Sequence, residues 1–145
     1  MIKLKFVTPY GTIYNDSDID AITIPTKSGI ITIKGDHVPM LSIITPGEIQ
    51  LDKGSHSVSL SVSKGVIDIR QNSVVYILAD TAERAEEIDI ERAEQARKRA
   101  EEFLKKQEDI ADIDFARVQA QIEKELARIN VARKYKKLPI DSRSL

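Results

Sequence analysis

The chain has 145 residues and a formal net charge of −1, with 22 Lys/Arg and 23 Asp/Glu mixed along its length. That balance argues against a dedicated nucleic-acid binder, which would concentrate cations on one face. The absence of cysteine excludes disulfides and thiolate metal sites, and no apolar run approaches the ~18 residues needed to cross a bilayer.

The composition divides the chain in two. Residues 1–80 hold 7 Lys/Arg, 8 Asp/Glu, all six glycines and four of the five prolines, whereas residues 81–145 hold 15 charges of each sign and Pro139 alone. The first part is long enough to bury a modest core, roughly 60% of its unfolded surface at this size. The N-terminus carries Lys3 and Lys5 inside its apolar pattern and does not read as a signal peptide. A cytoplasmic, soluble chain is the expectation.

Strand signals recur along the first part. Ile2, Leu4 and Phe6 alternate with lysines, as in a strand with one buried face. The runs IDAITIPT, GIITIK, GEIQLD, HSVSLSVS, GVIDIR and SVVYILA follow, separated by the turn sequences TKSG, TPGE, DKGS and RQNS. In HSVSLSVS, Val58, Leu60 and Val62 point one way and the serines the other, a period of two that no helix accommodates. Short antiparallel strands at this spacing imply a β-sandwich or flattened barrel.

From Ala82 the period changes. The stretch AERAEEIDIERAEQARKRAEEFLKK has no glycine or proline and is more than half charged. Asp89 is placed to cap a helix, with Glu91 favoured in its first turn. Ala93, Ala96, Ala100, Phe103 and Leu104 form a narrow stripe on that helix. KKQEDIAD interrupts the pattern, and Asp112 is a candidate cap for a second helix. The second stripe is Phe115, Val118, Ile122, Leu126 and Ile129, running to about Tyr135 before Pro139. So short a connection predicts an αα-hairpin. Its few large apolar residues make it marginal alone, in need of the β-domain, a ligand or a partner. The expected fold is therefore α+β: an antiparallel β-sandwich or flattened barrel over 1–84, a two-helix hairpin over 85–137, and a disordered tail over 138–145.

The motif GDHVP (Gly35 to Pro39), then GVIDIR, then VVYILADTAERAEEIDIERA together resemble the epsilon subunit of F-type ATP synthases. The likeness runs to about Tyr135, and ILADTAERAEEIDIERA is its most specific part. Where the family commonly reads Gly-x-Ile-Gly, this chain has Gly29-Ile30-Ile31-Thr32. The resemblance implies a noncatalytic rotor component of the central stalk, coupling proton flow to ATP synthesis. Its implied partners are the gamma subunit and the c-ring through the β-domain, and the catalytic beta and alpha subunits through the helical arm, which restrains ATP hydrolysis. Its implied place is the cytoplasmic face of the cell membrane, peripheral to it through the complex. No cofactor is required.

Some bacterial members bind a regulatory ATP through an Ile/Leu-Asp-x-x-Arg-Ala motif, matched here by Ile88, Asp89, Arg92 and Ala93. The resemblance adds Glu83, Arg99 and Arg128 to that set, while Lys124 stands where ATP-binding members carry arginine. Arginine grips phosphate oxygens with a fork of donors, a geometry lysine lacks. From pattern alone, the plainer alternative is that Asp89 caps a helix while Arg92 and Arg99 are solvated salt-bridge partners. His37 and His56, the two histidines, do not suggest a metal centre, and His37 reads as a structural or interface residue. Two other functions share the same fold: a free-standing ATP sensor, and an adaptor with a docking domain and a helical arm. Neither needs a rotary complex.

Overall fold

The computed structural model describes residues 1–106 and 111–137, and the expected tail over 138–145 lies outside them. Ten strands come first: β1 (Ile2–Thr8), β2 (Gly11–Ile19), β3 (Ala21–Thr26), β4 (Gly29–Lys34), β5 (Met40–Ile44), β6 (Gly47–Lys53), β7 (His56–Val62), β8 (Gly65–Arg70), β9 (Val74–Ala79) and β10 (Ala82–Arg84). A single 3-10 turn, Ala85–Glu87, leads to the helices α1 (Ile90–Lys106) and α2 (Asp112–Lys137).

The period-two pattern sets the core. In β1, Ile2, Leu4 and Phe6 are buried while Lys3 and Lys5 are exposed. Ile22 and Ile24 of β3, Ile49 and Leu51 of β6, Ile67 and Ile69 of β8 and Ile77 of β9 join them in one cluster. Each such side chain contributes about 2 kcal/mol through burial. The hydrogen-bonded path runs β10-β7-β6-β3-β5-β8-β9-β1-β2, with β4 added on β3. All neighbours are antiparallel except β1 and β9, which are parallel. The path closes on itself as β2 comes round to β6, where Lys53 Nζ donates to Asp16 Oδ2 at 2.7 Å. That hydrogen bond, then the backbone amide of Asp18, holds the Asp16 carboxyl below its ordinary value.

Three strands depart from the sequence reading. β2 fully buries only Ile19, with Ile13 and Tyr14 half-buried against the core and the rest polar or exposed, and it is held as an edge by its ladder to β1. β5 follows Pro39 directly and turns Leu41 and Ile43 outward. β10 carries Ala-Glu-Arg, a good helical sequence, yet pairs with β7 from Ala82 against Val62 to Arg84 against Leu60. Strand pairing overrides local preference there, so the helical segment begins later than Ala82. The outer face of β7 is not free either: Ser61 is buried, because α2 crosses this strand.

The helices form an antiparallel pair, with Arg133 of α2 bonded to Glu94 of α1. Ala93, Ala96, Ala100 and Leu104 of the first stripe are buried or half-buried, while Phe103 lies exposed at its edge. The second stripe is corrected more deeply. Ile122 and Ile129 are buried, but Phe115 and Leu126 are exposed, and Ala127, Val131 and Ala132 are buried instead. Helix α2 has two covered sides, one against α1 and one against β6, β7 and the 3-10 turn. A single stripe could not describe it.

Gly65 marks a tight point of the sheet. A Cβ there would sit 2.2 Å from the Leu78 carbonyl oxygen and 2.8 Å from Ala79 Cα, both backbone atoms that cannot swing aside. Gly65→Ala is therefore expected to cost about 3 kcal/mol, at the upper end for overpacking, measured as a lowered urea midpoint with an unchanged m-value.

Candidate functional site

Asp89 does cap α1. Its Oδ1 accepts from the Arg92 amide at 3.1 Å and its carbonyl accepts from the Ala93 amide at 3.1 Å. Glu91 in the first turn and Lys105 and Lys106 in the last complement the helix dipole. The second cap is corrected: the Phe115 amide donates to Ala111 O at 3.0 Å. The cap position is therefore Ala111, which has no side-chain acceptor, and Asp112 is the first residue inside the helix. Asp112 and Asp114 act there through the dipole instead.

The residues singled out for nucleotide binding separate into three settings. Arg92 and Arg99 project from α1 into solvent and make no ion pair among the described residues. Ile88 and Ala93 are interior. Ile88 packs with Ala85, Val131 and Ala132, flanked by Ile90 and Tyr135. Ala93 is 0% exposed, so its small side chain serves close packing within the hairpin and leaves no open surface for a base. Glu83 and Arg128 are bonded to each other.

That bond is the centre of a polar cluster between hairpin and sandwich. Arg128 Nε donates to Glu83 Oε2 on β10 at 2.8 Å, and its Nη1 donates to Glu125 Oε2 at 2.8 Å. Glu125 is 2% exposed, and Gln121 Nε2 donates to its other oxygen at 2.9 Å. A buried carboxylate is costly unless paired and hydrogen-bonded, and here both oxygens are engaged. Burial opposes the charge on Arg128, but the Glu83 and Glu125 carboxylates outweigh it and hold the guanidinium above its ordinary value. A cleft of about 350 Å³ opens beside the pair, lined by Thr8, Tyr10, Ser61, Glu83, Lys124 and Arg128. Lys124 makes no ion pair among the described residues. A second bridge, Lys134 Nζ to Glu48 Oε1 at 3.0 Å, joins α2 to β6 further along.

Sequence reasoning found Glu83, Arg128 and Lys124 but missed Glu125, Gln121, Glu48 and Lys134. Glu125 carried a signal: a carboxylate set between Ile122 and Ile129, three residues before an arginine. Lys134 and Glu48 lie 86 residues apart, and no local pattern joins them. His37 sits in the loop after β4 with Nδ1 2.7 Å from Val38 O, the nitrogen donating to the carbonyl. The same loop is anchored where the Asp36 amide donates to Ser73 Oγ at 2.8 Å. Among the described residues, no group of three or more His, Asp or Glu side chains is arranged to hold a metal ion, and no helix is long and apolar enough to cross a membrane.

Residues 1–85 match the family model for the ATP synthase delta/epsilon chain β-sandwich domain, and residues 86–133 match that for its long α-helix domain. The chain is 36% identical over 134 residues to the ATP synthase epsilon chain of Levilactobacillus brevis, covering 92% of this chain and 95% of that one. To the ATP synthase epsilon chain of Chloroflexus aggregans it is 40% identical over 135 residues, covering 93% and 94%. A chain in the Euglena gracilis mitochondrial ATP synthase OSCP/F1/c-ring structure superposes with a TM-score of 0.72 at 23% identity, covering 92% of this chain and 81% of that one. At that identity the likeness concerns the fold.

The cap at the base of the arm gives a direct check. Asp89→Ala is expected to cost about 1 kcal/mol, seen as lower helicity and faster amide exchange in the first turn of α1, with β-strand exchange unchanged.

Proposed function

The chain belongs to the delta/epsilon family of ATP synthase chains, noncatalytic subunits of that complex, and on that premise we propose that it is a central-stalk rotor subunit whose hairpin regulates hydrolysis. The observation that carries the proposal is the unequal use of the two faces of the sandwich. One face, at β6, β7 and β10, is covered by α2. The other bears an exposed apolar row. Ile43, Val66 and Leu78 stand opposite one another across β5, β8 and β9, all exposed, with Leu41 71% exposed beside them. A row of this kind marks a docking surface. In this reading it meets the gamma subunit, and the sandwich rests on the c-ring, so that proton flow through the ring is coupled to ATP synthesis at the cytoplasmic face of the membrane.

The hairpin is the regulatory part. It is held to the sandwich by side-chain ion pairs and a small apolar cluster rather than by a deep core. Such an arm exchanges one packing partner for another at modest cost. In its released position it reaches the catalytic beta and alpha subunits and restrains hydrolysis. A regulatory ATP would draw on Arg92, Arg99 and Arg128 with Asp89 and Glu83 as polar partners, and needs the exposed arginines of α1 brought to the cleft where Arg128 and Lys124 stand. Contact with Ile88 and Ala93 requires the hairpin to repack, because both are interior in the docked form.

Membranes of the host, solubilised gently and captured through a tag on this chain, are expected to yield gamma, beta and c subunits together. Ile43→Asp with Leu78→Asp is expected to abolish that recovery while leaving the isolated chain folded. Recovery of the chain alone from an intact, epsilon-free ATP synthase would overturn the rotor reading. Ending the chain after Arg84, which preserves β10, is expected to raise hydrolysis in the reassembled complex. Calorimetric titration with ATP tests the nucleotide separately: heat that weakens in Arg92→Ala supports it, and silence at millimolar ATP ends it without touching the rotor reading.

A further inference from the structure

We propose that the docked hairpin is latched by one shared guanidinium, that of Arg128, and that Glu83 is the half of the latch that opens. The proposal rests on the reading that the hairpin leaves the sandwich. Arg128 is bonded to two carboxylates of different allegiance. Glu125 lies three residues before it on α2 and travels with the arm, whereas Glu83 lies on β10 and stays with the sandwich.

This division determines what release leaves behind. Freeing a hairpin that buries an ion pair across its interface would ordinarily strand a desolvated charge on each side. Here the buried Glu125 keeps its arginine throughout, and Gln121 on the same helix continues to donate to it. The group left alone is Glu83, whose side chain is already 31% exposed and hydrates on release. Lys134 and Glu48, a second bridge across the interface, both hydrate on release, the lysine from a side chain already 58% exposed and the glutamate from one 20% exposed. The latch therefore adds directional hold without the penalty that would make release rare.

It also gives two chemically equal substitutions opposite effects. In the docked state two carboxylates share one cation. Removing the charge of Glu83 loosens docking. Neutralising Glu125 leaves Arg128 to Glu83 alone and removes a buried carboxylate, which tightens docking. Arg128→Gln is unsuited to the test, because it strands Glu125 in the interior.

The full chain contains no native cysteine, so Ser28→Cys and Gln119→Cys, both at exposed positions, accept a dye pair reporting the distance from sandwich to α2. Glu83→Gln is expected to raise the undocked population about tenfold, the loss of one charge-assisted hydrogen bond, and to blunt its growth with salt. Glu125→Gln is expected to lower that population, and the double variant to fall between the two, with helicity by circular dichroism unchanged in each. An unchanged population in Glu83→Gln, or a shift of the same sign in both single variants, would overturn the latch. A hairpin that stays docked in every variant at molar salt would instead overturn the release reading on which it rests.

Discussion

Helix α2 has to satisfy two surfaces at once, and the remaining architecture depends on how it does so. One side faces α1 and the other lies on β6, β7 and the 3-10 turn. A helix covered twice ordinarily carries large apolar residues on both sides. This one has Ile122 and Ile129 among its buried residues, but also the small Ala127 and Ala132 and the charged Glu125. Its contact with the sandwich includes two ion pairs, Arg128 with Glu83 and Lys134 with Glu48, which fix the relative placement of the two parts.

The division of labour within the sheet follows from the same demand. Strands β6, β7 and β10 form the floor for α2, which explains why Ser61 is buried on a strand whose serines would otherwise face water. Strands β5, β8 and β9 are relieved of that task and leave Leu41, Ile43, Val66 and Leu78 outward. A flattened barrel offers both faces because its isoleucine-rich interior stabilises it independently of what lies outside. The closing contact between Lys53 and Asp16 then fixes β2 against β6 without extending the ladder.

Much of this was legible in the sequence, and what was not has a physical reason in each case. The alternation in Ile2-Leu4-Phe6 and Val58-Leu60-Val62 sets the burial observed, because one face of each strand must leave water. Asp89 was legible as a cap because capping needs only the next three residues. Asp112, expected as the second cap, is instead the first helical residue, and the cap position falls on Ala111, a residue type that no capping preference favours. β2 and β10 were hidden since their strand state comes from a partner ladder and not from their own side chains. The residues that the resemblance implies for a nucleotide were named singly, and such a list does not reveal that Glu83 and Arg128 are bonded to each other.

Residue type and local spacing carry the two-part division, the period of each part, the charge balance and the family membership. Which residues α2 buries is settled in three dimensions, because a doubly covered helix has no single stripe to read. The fold likewise places Glu125 in the interior and joins it through one guanidinium to Glu83, a residue 45 positions away from Arg128. Charge partners at that separation are chosen by the path of the chain through space, and no local pattern carries that path.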